Sequence, residues 1–328
     1  MIKLYSLNNG VVTDITNAIK SISSTGDKAQ AARKLDITLV YSAWDKHQPR
    51  TNIGPGTKVW LLLDGKEIFR GIAWDRGVDS SSEGLPVVVY DYLIYLTKSK
   101  VTYNFSNISA EDATKKICSD LGISVGSIAT TGIKLNRLIA QKSGYDAIME
   151  MYAQASKTNG KKYIPVMDGI KLCVIEKGKT VANYTLRSQP NNTSSNVINT
   201  NYHDTMDGMI NKVKIYDSEN KYIKEVNNNT GIAQYGLLQD NYTMETGKNS
   251  EVVANGMLTG VQKDVTIPAL GNWECRTGYA VNTEISYIST LLKTVMFIDG
   301  DTHTWVPGTG EYTMNLNLSF SNLMDSKE

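Results

Sequence analysis

Apolar and polar residues alternate along much of the first hundred positions. Leu35, Ile37, Leu39 and Tyr41 are interleaved with Asp36, Thr38 and Val40, a period of two that puts the two sets on opposite faces of a strand. Residues 59–63 and 68–74 flank Asp64-Gly65, a dipeptide suited to a tight hairpin because both positions tolerate positive φ. Residues 86–92 supply another Val-rich strand, and Gly54-Pro55-Gly56 and residues 80–84 read as loops. Short strands with turn signals at this spacing predict a closed or nearly closed β-barrel.

Near residue 105 the period changes. Ser109 with Asp112 three residues on predicts a capped helix start, Ala113, Ile117 and Leu121 form an apolar stripe at helical spacing, and Gly122 stands where a left-handed terminator belongs. Ser143 and Asp146 repeat the cap before a second helix over 144–156, ended by Asn159-Gly160. Residues 163–167 and 170–175 around Asp168-Gly169 predict a hairpin, so the middle third is a small α/β module. Residues 186–204, with Pro190 and many Asn and Ser, read as a linker. Strand patterns return at 210–216, 222–226, 277–288, 293–298 and 312–320, with one helix over 249–259. The fold class that follows is mainly β with a small α/β insertion.

Composition narrows the function classes. The chain has 328 residues, which predicts two or three domains, and a net charge of +1, which lacks the basic excess of a nucleic-acid binder. Its apolar runs are far shorter than a bilayer span needs, and residues 1–20 show no signal-peptide pattern, so no membrane anchor is expected. Cys118, Cys173 and Cys275 are far apart and form no CxxC pair, which points away from zinc and from a disulfide framework. Tyrosines (18) outnumber phenylalanines (4), a bias suited to half-buried strand faces and contact surfaces.

Candidate chemistry is sparse. His47, His203 and His303 each fall in a polar, turn-like stretch without a metal-ligand partner at helical spacing. Asp299, Asp301 and His303 are two residues apart and would converge on a cation if extended, but Asp299-Gly300 reads better as a hairpin turn between 295–298 and 302–306. Gly308-Thr309-Gly310 resembles part of a phosphate loop, yet Glu311 would repel phosphate and a turn explains it. Glu111 and Asp112 are accounted for at a helix start, and Trp44, Trp60, Trp74, Trp273 and Trp305 read as packing rather than a sugar platform. Lys98, Lys100 and Tyr103 read as a solvated strand end. No residue is assigned a catalytic, cofactor-binding or metal-binding role.

The order of these elements carries a resemblance. Residues 36–41 and 52–57, the run Val59-Trp60-Leu61-Leu62-Leu63-Asp64-Gly65-Lys66-Glu67-Ile68-Phe69-Arg70-Gly71, and Tyr90-Asp91-Tyr92 with Leu96 resemble XkdQ/YqbQ-like phage tail proteins. Phe105 with the helix over 110–121, residues 142–147, the hairpin at Asp168-Gly169, Asn211-Lys212-Val213, residues 297–305 and Tyr312-Thr313-Met314 continue it. The resemblance implies a non-enzymatic hub of a tail or baseplate, in a phage, a defective prophage or a tail-like bacteriocin, folded in the bacterial cytoplasm. It implies a homotrimer in which each chain carries two barrels related to the tail-tube fold, here residues 1–104 and 176–328, with residues 105–175 outside. Three chains would then present six similar units to a sixfold tube. The implied partners are the tail-tube ring, the tail-tip spike and other baseplate proteins, with no cofactor and no specific nucleic acid. A cell-wall-degrading or cell-wall-binding tail protein is the alternative.

Overall fold

Alternation builds the amino-terminal strands. In the computed structural model, which describes residues 1–42, 44–45, 47, 51–188, 194–245 and 249–325, these are β1 (Ile2–Asn8), β2 (Val11–Asp14), β3 (Ile19–Asp27), β4 (Gln30–Val40), β5 (Lys58–Leu63), β6 (Lys66–Arg76) and β7 (Gly84–Asp91). Leu35, Ile37 and Leu39 of β4, Val59 and Leu61 of β5, and Val87 and Val89 of β7 are buried in one apolar core. Asp64 and Gly65 take φ of 50° and 82°, the positive values that a two-residue hairpin between β5 and β6 requires.

A short helix, α1 (Leu93–Lys98), leads into the middle module. It escapes sequence analysis because its cap is indirect: the Asp91 carboxylate, two residues upstream, accepts the Leu93 N–H. The module comprises β8 (Lys100–Ser109), α2 (Ala110–Asp120), β9 (Val125–Ile128), β10 (Lys134–Ser143), α3 (Gly144–Asn159), β11 (Tyr163–Asp168) and β12 (Lys171–Glu176). Ser109 Oγ accepts from the Asp112 N–H and Ser143 Oγ from the Asp146 N–H, so both expected caps form. The helices bury Ala113, Ile117, Ile148 and Met151 together with Phe105, Ile139, Leu172 and Val174.

β13 (Lys179–Ser188) takes up the first three residues of the expected linker, which corrects that reading; residues 189–193, Pro190 among them, lie outside the described residues. Leu186 is fully buried and β13 runs parallel to a later strand, a pairing that a local polar count does not register. Residues 201–265 form a compact unit of their own. It holds β14 (Asn201–Thr205), β15 (Lys212–Tyr216), β16 (Tyr222–Asn227), α4 (Asn229–Tyr235), β17 (Gln239–Thr243) and α5 (Ser250–Met257), and its small core is Val213, Ile215, Tyr242 and Ala254.

The other unit, residues 1–200 and 266–328, is completed by β18 (Gln262–Leu270), β19 (Tyr279–Ile285), β20 (Thr294–Trp305) and β21 (Tyr312–Ser319). Strands from both β-rich ends share one sheet, in the order β18-β21-β20-β3-β4-β7-β6-β5-β1-β2. β20 makes the junction. Along one edge it pairs with β21; along the other, residues 294–297 pair with β19 and residues 300–305 with β3.

Asp299-Gly300 is therefore not a hairpin turn. β20 runs straight through it, and the ladder to β21 shifts register between Ile298 and Gly300, where the opposite edge changes partner. The turn lies later, at Gly308 and Gly310, both with positive φ.

Candidate functional site

The junction of β20 with β3 and β4 is organised by one carboxylate. Asp301 points to the buried side of β20 and accepts from Arg33 of β4 through both oxygens, Nη1 to Oδ2 and Nη2 to Oδ1, each at 2.7 Å. Thr277, in the turn before β19, donates its N–H (2.6 Å) and its hydroxyl (2.7 Å) to Oδ1. Burial alone would raise this carboxyl, but Arg33 and the hydrogen bonds outweigh it and hold Asp301 far below the usual carboxylate range. Burial likewise works against the charge of Arg33, and the Asp301 pair reverses it. Gly26 on β3 makes room: a Cβ there would come within 3 Å of the Arg33 guanidinium.

His303, two residues along the same face, is fully buried, so the polar, turn-like setting expected for it is corrected. Its Nε2 lies 3.2 Å from both Asp301 Oδ2 and the Cys275 carbonyl, two acceptors, so Nε2 carries the proton. Nδ1 is then free to accept from the Tyr312 hydroxyl at 2.7 Å. Burial lowers the imidazole pKa against the pull of Asp301, keeping the ring neutral. Trp273, Trp305 and Tyr312 pack around it, with Trp305 and Tyr312 stacked at 5.0 Å. Gly271 is required here, because a Cβ at that position would overlap the Tyr312 ring.

Asp299 belongs to a different contact. Lys28 and Lys177 donate to its two oxygens at 2.6 and 2.9 Å, and Lys177, almost wholly buried, also donates to the Leu323 carbonyl. The structure thus brings Asp301 and His303 together and turns Asp299 away, because the register shift at Gly300 breaks the period of two. Among the described residues no group of three His, Cys, Asp or Glu side chains could hold a metal ion.

Asp301, His303 and Tyr312 stand in the order of an acid–imidazole–hydroxyl relay. Burial raises the Tyr312 hydroxyl rather than activating it. What the arrangement does is fix register: residues from β4, β20, β21 and the 271–278 loop fit together in only one alignment.

Of the other candidates, His47 and His203 are exposed, Trp44 is exposed, Trp60 stacks on Tyr5, and Trp74 packs edge-on to Tyr95. Only Trp273 and Trp305 meet. Glu111 does more than begin a helix, since its carboxylate accepts the N–H groups of Thr131 and Gly132 and the Thr131 hydroxyl. The three cysteines are free and buried, and burial pushes the Cys275 thiol up to about 12. No helix among the described residues is long and apolar enough to cross a membrane.

Arg33, Gly26 and Thr277 were not singled out by sequence. The available signals were a glycine inside a strand pattern and an arginine on an otherwise amphipathic strand.

Comparison with known proteins bears on the whole chain. A model of the YQBQ-like family matches residues 22–319. The chain is 28% identical over 325 residues to the phage-like element PBSX protein XkdQ of Bacillus subtilis strain 168, with 93% of each covered. The 43 kDa tail protein of prophage MuSo2 from Shewanella oneidensis is similar in structure, with a TM-score of 0.70 at 13% identity, covering 97% of this chain and 98% of that one. The tail protein of Neisseria meningitidis MC58 gives a TM-score of 0.66 at 15% identity, covering 97% and 96%. At these identities the two structures speak to the fold.

Proposed function

Because the chain belongs to the YQBQ-like family, we propose that it is a structural hub of a phage-type tail, joining the tail tube to the tail tip. The observation that carries this reading is the end-to-end likeness to XkdQ, a phage-like element protein, over 93% of each chain. In this reading residues 1–104 and 176–328 are two tube-like β-regions and residues 105–175 decorate the outside. Three chains present six similar β-regions, which matches a threefold tip to a sixfold tube. Function is then geometric: the chain works as part of a tail particle or baseplate, with the tube ring, the tip spike and neighbouring baseplate proteins as partners.

Cryo-electron microscopy of the assembled tail tests this. Three copies at the tube–tip junction, each spanning two of six ring positions, are expected; six copies, or a position off the tail axis, would overturn the proposal. The alternative of a wall-active tail protein has its own readouts. A cleared band in a zymogram of host peptidoglycan would make the chain a lytic enzyme, and tight pelleting of the isolated chain with purified cell walls would make it a wall-binding module.

A further inference from the structure

Arg276 makes no ion pair of its own among the described residues, and its Nε–H has no acceptor. It follows Cys275 in the loop before β19, with its guanidinium 5.2 Å from the centre of the Trp273 ring and 5.7 Å from that of Tyr279. Arg33 lies 5.1 Å from the same indole, so two guanidinium groups share one aromatic ring. Asp301 is taken up by Arg33, Thr277 and His303, and Arg70, across the cavity, is paired with Glu67. Among the described residues no carboxylate lies within ion-pair distance of Arg276, and its Nε–H is buried without an acceptor. Burial, and then the like charge of Arg33, push its pKa below that of an ordinary arginine, outweighing the opposing pull of Tyr279, Glu274 and Asp301.

Such a group is costly to maintain. A buried donor without an acceptor loses the hydration it had in the unfolded chain, and the loss is greater when it is charged. A bound ion is one way in which such a group is satisfied. A cavity adjoins this one. It has about 80 Å³ of space, is lined by Arg33, Arg70, Arg276 and Asp91, and is walled by Phe69 and Pro165. About 10–15 Å³ suffices for one water, so the space admits a small polar group. Asp91, its buried acid, is held by the N–H groups of Arg33 and Leu93 and is unavailable to Arg276. Asp27, at the rim, is engaged by the Ala29 N–H.

We propose that this cavity is an oxyanion site in which Arg276 binds a carboxylate or phosphate group. Planar guanidinium suits both, through paired N–H donors. The apolar walls suit the methylene stem of an acidic side chain, which would reach in from a partner protein; free phosphate is the other source of the same chemistry. The inference goes beyond the hub reading and stands or falls separately from it.

The test uses the full chain at low ionic strength, titrated with sodium phosphate and, separately, with sodium acetate, each against sodium chloride at matched ionic strength. Thermal unfolding and the Arg276 Nε–H resonance in NMR spectra are followed. A saturable rise in melting temperature, with a saturable shift of that resonance, is expected in the wild type. In Arg276→Met and Arg276→Gln apparent affinity should fall about tenfold or more, as loss of a charge-assisted pair implies. A response to acetate assigns the site to carboxylates, and a response to phosphate alone assigns it to phosphate. Wild type and variants responding equally, or an Nε–H resonance unmoved by either anion, would overturn the proposal. The resonance is read in the wild type and so decides even if both variants fail to fold.

Discussion

The amino-terminal strands and β20 contribute to one sheet by opposite means. In β4, β5 and β7 the inward face is Leu35, Ile37, Leu39, Val59, Leu61, Val87 and Val89, and any set of apolar side chains of that volume would fill the space about as well. In β20 the inward positions include Asp301 and His303, whose partners must sit at hydrogen-bond distance and in the right tautomer. The apolar half supplies stability that is graded and forgiving. The polar half supplies alignment, which is present or lost, because removing one partner leaves the others buried and charged.

The largest effect should come from breaking the polar half. Asp301→Leu strands Arg33 and the Thr277 N–H together, and should cost about 3–5 kcal/mol in urea unfolding. Adding Arg33→Met should recover part of that loss. A loss under about 1 kcal/mol would mean that this carboxylate does not hold β20 to β4. Next in size, Ile37→Ala should cost about 2–4 kcal/mol and Ile37→Val about 0.5–1.5 kcal/mol, a gradation that the Asp301 variants should not show.

The two halves should also differ in their response to pH. Asp301 and Asp299 are lowered in the folded state, so their contribution is complete above the unfolded value near 4 and is lost as pH falls further. His303 is lowered too, so its contribution is present above about 6.5 and declines as pH falls below it. Asp91 acts oppositely: burial pushes it up to about 7, so the folded chain keeps a proton that the unfolded chain has lost. Its penalty is absent below about pH 4 and grows to pH 7, at up to ~1.4 kcal/mol per pH unit. Asp91→Asn should remove that decline, whereas the Ile37→Ala difference should stay flat across pH 4 to 8. The smallest effect belongs to a solvated ion pair on the same strand. Asp36, 2.9 Å from Lys34, is partly exposed, and Asp36→Asn should change stability by less than about 0.5 kcal/mol.

How much of this was legible follows the same division. The period of two in β4 and the capped starts of α2 and α3 could be read directly, because each is set by neighbours within a few residues. β20 was cut in two at Asp299-Gly300, since a dipeptide that usually turns is here carried through by partners hundreds of residues away. β13 and α1 were missed for the same kind of reason: one is held by a parallel partner, the other by an upstream carboxylate. Asp299, Asp301 and His303 stand out in sequence as one cluster at a turn, and Arg33, which gives Asp301 and His303 their meaning, lies 268 residues from Asp301. Local pattern carries no information at that range.

That separation has a consequence in time. Thr25 and Thr302, 277 residues apart, face each other across β3 and β20. At roughly 5–20 residues per second of synthesis, β3 waits on the order of 15–55 seconds for its partner to leave the ribosome. An apolar, unpaired strand edge would spend that interval as a template for aggregation. This one carries Ser21, Ser23, Ser24 and Thr25 along its length. A polar edge of this kind is a poorer template while the sheet is half built.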